Sequence, residues 1–142
     1  MTARDDSFDF FEEKYARPRT PTQRRMEREA LGHDAGLNGY TTVEQARVLG
    51  ERLALGSSSV LLDVGAGFGW PGSYIARANG CHLLSTDVPC AALQEARRAA
   101  DSRDSPHSPT SPAVRRVVAA DGRALPLRSR SIDAIVHADV FC

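Results

Sequence analysis

Apolar positions along the chain fall into short runs cut by glycine, proline and charge, and their spacing predicts alternating strands and helices. Val60, Leu61 and Leu62, followed by Asp63 and Val64, form a β-branched and leucine-rich run. It ends on three alternate glycines, Gly65, Gly67 and Gly69. Such a run reads as a buried parallel strand feeding a tight turn. Beyond Pro71, residues 73–78 suit a helix, which Asn79-Gly80 stops. Residues 81–86 read as a second strand closed by Asp87, and 89–100 as a helix with Ala91, Leu93 and Ala96 available for packing. Residues 114–119 and 132–136 read as third and fourth strands.

Upstream, Thr41 and Thr42 each precede an acidic or amide residue three positions on, Glu44 and Gln45. That is a capping-box signature, opening a helix through about Leu55 with Val43, Ala46, Leu49 and Leu53 on one side. Gly56 and Ser57 to Ser59 end it. Residues 1–40 are charged and broken by Pro18 and Pro21. The aromatic cluster Phe8, Phe10, Phe11 and Tyr15 suits a short helix, and 22–30 a second one too polar for a core. Gly32, Gly36 and Asn38-Gly39 mark turns, and the Ser/Pro-rich 101–112 a surface loop.

Composition narrows the classes. A chain of 142 residues is one domain at most, with 42% apolar and 25% charged residues, as in ordinary globular proteins. Net charge is zero and no basic patch carries interleaved aromatics, which argues against nucleic acid as partner. No apolar run reaches a membrane span, and the acidic start is no signal peptide. Cys81, Cys90 and Cys142 lack C-x-x-C spacing and read as reduced, mostly buried thiols of an intracellular, cytoplasmic protein. Four scattered histidines make no metal site, and no G-x-S-x-G elbow is present.

Strand, glycine turn and helix open a nucleotide-binding βαβ unit. A P-loop is out, because the only lysine is Lys14. The dinucleotide pattern G-x-G-x-x-G fails at Trp70, which stands where its third glycine belongs. What stands here is G-x-G-x-G with Asp63 two positions before it. This form resembles the first motif of class I S-adenosylmethionine (SAM) dependent methyltransferases. Asp87 lies about where these folds place an acid on the ribose hydroxyls. The stretch from Asp121 through Leu125-Pro126-Leu127 to Ile132-Asp133-Ala134-Ile135-Val136 is similar to that family's D-x-x-x-L-P-[FL]-x-x-x-[ST]-[FI]-D-x-[IV]-[IV] pattern.

The resemblance implies a three-layer α/β Rossmann-like domain over 41–142 with partial strand order 3-2-1-4. It implies SAM as cofactor and a small-molecule methyl acceptor. Asp63, Gly65, Ala66 and Gly67 would bind the cofactor, Asp63 by suiting its ammonium end. Asp87 would meet the ribose, Val88 would bind the cofactor beside it, and Asp121 and Gly122 would meet the adenine. His137 and Asp139 leave the carboxyl end of the fourth strand, His137 as a neutral residue under the cofactor or as a base with Asp139. Tyr40 reads as an aromatic that closes over the cofactor or as part of a plain turn. Residues 1–40 read as a lid or as a loosely packed extension. The family has seven strands, so the chain reads as truncated before strands five to seven, leaving strand four an open edge for self-association. Two alternatives stand beside the methyltransferase: a non-catalytic remnant or interaction module, and an NAD-dependent oxidoreductase.

Overall fold

The computed structural model describes residues 6–32, 34, 40–101, 115–138 and 140. The turn at 36–39, the stretch 102–114, Asp139 and Cys142 lie outside the described residues, as do the side chains of 6–8 and 99–101. The elements run α1 (Asp6–Ala16), α2 (Pro21–Leu31), α3 (Val43–Leu53), β1 (Val60–Val64), α4 (Gly72–Asn79), β2 (His82–Asp87), α5 (Cys90–Asp101), β3 (Arg115–Ala119) and β4 (Ala134–Val136). The four strands make one parallel sheet in the order β3-β2-β1-β4.

Local chemistry sets the helix ends. Thr42 caps α3 by accepting from the Gln45 amide, while the Gln45 side chain accepts from the Thr42 amide, so the capping box forms at the second threonine. Thr20 and Gln23 repeat the device on α2, with Pro21 in the first turn. Gly80 closes α4 at φ +68. Helix α3 closes earlier than Gly56 would suggest, on Ala54 in the left-handed region.

Register places Leu61, Leu83, Ala134 and Val136 on one face of the sheet. There Leu61, Leu83 and Val136 pack with Ile75, Ala76 and Cys81 into the core, Leu61 and Ile75 with no exposed surface. Each large apolar side chain buried this way contributes about 1.5–3 kcal/mol. Helix α4 lies against β1 and β2, and α5 against β2 and β3. The opposite face carries Leu62, Leu84 and Ile135, the last 59% exposed. Residues 120–133 form no helix, and Gly122 of this crossover approaches the Val64 side chain there. Of the cysteines, Cys81 is buried as expected, whereas Cys90 opens α5 on the surface; both are free.

Strand β4 begins at Ala134, two residues later than its apolar run, because Asp133 makes a different contact. Its carboxylate accepts from the Val60 amide at 2.7 Å, and its own amide donates to the Val60 carbonyl at 3.0 Å. This aspartate of the Ser-Ile-Asp pattern fixes the start of β1 beside β4.

Candidate functional site

Parallel strands end together, so the loops leaving β1, β2, β3 and β4 gather on one edge of the sheet, where open α/β folds bind ligands. The β1 turn is built first. Gly67 sits at φ +52 and Gly65 at φ +69, a region that favours glycine, and the turn folds back on β2. The Gly65 and Ala66 amides both donate to the Thr86 carbonyl, at 2.8 and 3.0 Å. The Gly69 amide donates to the Ala66 carbonyl at 2.7 Å. These three N–H groups therefore serve the fold itself.

Asp87 ties the second strand to this turn. One carboxylate oxygen accepts from the Gly67 amide at 2.7 Å and the other from the Val88 amide at 2.7 Å. A carboxylate accepts about four hydrogen bonds, so each oxygen keeps capacity for a ligand hydroxyl. Asp87 is half-buried, and burial pushes its pKa up while the two amides oppose the rise. The Ala120 amide donates to the Asp87 carbonyl at 2.9 Å, which brings the β3 exit with Asp121 and Gly122 to the same edge.

Asp63 corrects the sequence reading. Its side chain has no exposed surface and lies under the turn, on the α4 side of the sheet. One oxygen accepts from the Gly72 amide at 3.2 Å, and the other has no partner. A Cβ on Gly72 would lie 2.7 Å from the Asp63 carboxyl carbon, so only glycine leaves room for it. Burial, reinforced by the Asp87 charge, pushes the Asp63 carboxyl up to about 8, against the lowering effect of the Gly72 amide. This group does not face a ligand ammonium. It is a core acid that orients the first turn of α4.

The other candidates fall at different depths. Ala66 is buried, so its main chain rather than its side chain belongs to the site, and Val88 is 39% exposed. Asp121 is engaged by its neighbour: Arg123 approaches it through its side chain at 2.5 Å and its amide at 2.9 Å, which lowers the Asp121 pKa to about 2. His137 is exposed just past β4. Tyr40 is 85% exposed rather than folded over the turn, while the adjacent Thr41 carbonyl accepts from the Trp70 indole at 2.9 Å. Asp139 lies outside the described residues.

Two residues that the motif reading passed over sit on the turn. The Val140 side chain lies against Gly65, and the Tyr15 hydroxyl lies 3.1 Å from where a Cβ on Gly67 would be. Tyr15 also meets Phe68 edge to face, with ring centroids 5.0 Å apart. A large aromatic between two loop glycines was the available signal, since such a ring needs a packing partner. Among the described residues no group of three or more His, Cys, Asp or Glu side chains is placed to hold a metal. No helix among them is long and apolar enough to cross a membrane.

Strand, glycine turn, helix and a strand-end carboxylate together define a Rossmann-like α/β fold on a four-stranded parallel sheet. Residues 62–142, more than half of the chain, match the family model described as methyltransferase domain, and the chain belongs to that family. No curated protein matches it in sequence. Among solved structures, it is similar to Haemonchus contortus phosphoethanolamine N-methyltransferase 2 in complex with S-adenosyl-L-methionine (TM-score 0.67, 16% identity, 95% of this chain and 29% of that one). A putative methyltransferase from Haloferax volcanii, in complex with the Trm112 methyltransferase activator, gives TM-score 0.59 at 16% identity over 96% of this chain and 48% of that one. A TehB-like SAM-dependent methyltransferase from Corynebacterium glutamicum gives 0.54 at 24% identity over 92% and 55%. The chain thus spans between 29% and 55% of the length of these three structures.

Proposed function

We propose that the chain is the cofactor-binding part of a SAM-dependent methyltransferase acting on a small-molecule acceptor. The observation that carries this reading is the turn whose amides are bonded within the protein while Asp87 stands at its mouth. SAM has no phosphate to place on a loop amide, but it has a ribose diol that a carboxylate accepts from. The fit at Asp87 is therefore chemical, and Trp70 in place of a third glycine weighs against a dinucleotide.

In this reading the main chain of Gly65, Ala66 and Gly67 borders the amino-acid end of the cofactor. Asp87 and Val88 meet its ribose, and Asp121 and Gly122 its adenine. SAM supplies an electrophilic methyl group on a sulfonium. The protein's part is to hold that methyl in line with the acceptor, a task served by proximity and orientation. His137 is the proposed side chain facing the reacting region, where an exposed imidazole can take a proton from an amine or hydroxyl acceptor. Asp139 shares that role in the proposal. Residues 1–40 serve as a lid in this reading, and the open edge of β4 takes a further strand, from a second copy or from elsewhere.

Calorimetric titration of the full chain with SAM, with NADH as control, tests the reading on wild type and Asp87→Ala. We expect SAM to bind, NADH to be silent, and the variant to bind roughly 10- to 150-fold more weakly, the worth of charge-assisted hydrogen bonds of about 1.5–3 kcal/mol. A chain folded by circular dichroism that binds NADH and not SAM overturns it.

A further inference from the structure

We propose that Phe68 is a positioning residue: its ring is the seat on which the α1–α2 segment is registered over the glycine turn. The inference rests on the cofactor reading only for its consequence, retention of the cofactor, and not for the seat itself. Two residues of the N-terminal segment converge on this one ring, and a third layer of ion pairs holds one of them. Tyr15, near the end of α1, meets it edge to face at 5.0 Å and 82°. Arg19, in the link between the helices, places its guanidinium carbon 5.8 Å from the ring centroid. Arg19 is itself held by Glu27 of α2 and by Asp34, each at 2.8 Å, and Asp34 also accepts from Arg28 at 2.9 Å.

Helix α2 has no buried residue, and Phe10 and Phe11 of α1 are 61% and 42% exposed. Beyond the ring, the main attachment is the packing of α1 on α5. Aromatic pairs and cation–π contacts act over short range and depend on the ring being present. The seat also has a reason to sit between Gly67 and Gly69. It sets the Tyr15 hydroxyl against Gly67, whose amide carries the hydrogen bond to Asp87. The register of the N-terminal segment is thereby tied to the geometry of the turn.

The test is amide hydrogen exchange on the full chain, for wild type, Phe68→Ala, Phe68→Tyr and Tyr15→Leu, with SAM titrations alongside. Phe68→Ala and Tyr15→Leu are expected to speed exchange in α1 by roughly two- to twelvefold, the factor that the loss of one such contact implies. Exchange in β1 and β2 stays at the wild-type rate, and Phe68→Tyr restores protection in α1. SAM should dissociate several-fold faster from Phe68→Ala, with Phe68→Tyr again near wild type. Unchanged α1 protection in both Phe68→Ala and Tyr15→Leu overturns the seat, as does loss of protection spread evenly through the sheet. If wild type binds no SAM, the cofactor reading fails while the exchange data still decide the seat.

Discussion

Replacing Asp63 by asparagine isolates the effect of one ionisable group at the centre of the sheet. Asp63 has no exposed surface, accepts one amide hydrogen bond and shares its surroundings with the like charge of Asp87. On its own strand it is flanked by leucine and valine; the last turn of α4 carries Arg77, and His137 stands exposed past β4. With its carboxyl pushed up to about 8 from 3.8, Asp63 is mainly protonated in the folded chain at neutral pH. The unfolded chain ionises it near 4. Between those values the folded state holds the extra proton, so stability falls as pH rises through that window. Below it both states are protonated and the effect vanishes.

The slope is about 1.4 kcal/mol per pH unit in the middle of the window and flattens near its upper end. From pH 6 to pH 8 the loss is roughly 2 kcal/mol, or about 8 °C in Tm for a chain of this size. Asparagine is neutral throughout and keeps an oxygen for the Gly72 amide. Its amide nitrogen takes the place of the unpartnered oxygen at a cost of about 1–3 kcal/mol that does not depend on pH. The quantity to read is therefore the difference between variant and wild type, which cancels Asp87 and every other titrating group the two share. Urea unfolding at half-unit steps from pH 5 to pH 8.5 gives it directly. The difference should rise in favour of Asp63→Asn by roughly 2 kcal/mol between pH 6 and pH 8. A flat difference would refute the argument, because it means that Asp63 is already ionised in the fold or reaches water.

Gly72→Ala and Gly56→Ala form a matched pair. A Cβ on Gly72 meets the Asp63 carboxyl and one on Gly56 meets nothing within 4 Å, so urea unfolding should show a loss of about 1–3 kcal/mol or more for the first and almost none for the second. Arg123→Ala removes a partner that is 89% exposed, and exposed ion pairs contribute little. SAM affinity should change less than about fivefold, towards tighter binding, while the Asp121 carboxyl, followed by NMR titration, rises from about 2 towards its ordinary value. A loss above tenfold would place Arg123 itself against the ligand.

Much of this architecture was legible because its signals are local. The run into Gly65, the cap at Thr42 and Gln45, and the stop at Gly80 each depend on residues within one turn of one another, and each appears where the pattern puts it. The strand order followed from the family resemblance and is the order observed. Contacts that join distant segments were not legible. Asp63 was read towards the ligand because it stands two residues before the glycine turn, yet its depth is set by α4, whose first turn closes over it at Gly72. Tyr15 stood out only as one member of an aromatic cluster, since nothing around it specifies that its partner is Phe68. The shortening of β4 depends on Asp133 reaching back to Val60, a pairing that hydropathy does not register.

The carboxylates divide the labour of the site according to how their hydrogen bonds are used. Asp133 caps the start of β1 and lies at the wrong end of the strands for ligand chemistry. Asp63 has no exposed surface, and its hydrogen bond is to the Gly72 amide at the start of α4. Asp121 spends its acceptors on an exposed arginine, a bond weak enough to exchange for a ligand donor. Asp87 is the one among them whose side chain is bonded to the glycine turn, and it is half-buried there. Its carboxylate holds the Gly67 amide and, in the proposed reading, also offers its charge to the cofactor's diol. Loss of that one side chain should therefore both loosen the turn and weaken the ligand, whereas loss of Asp63 alters stability and its pH dependence without removing a ligand contact.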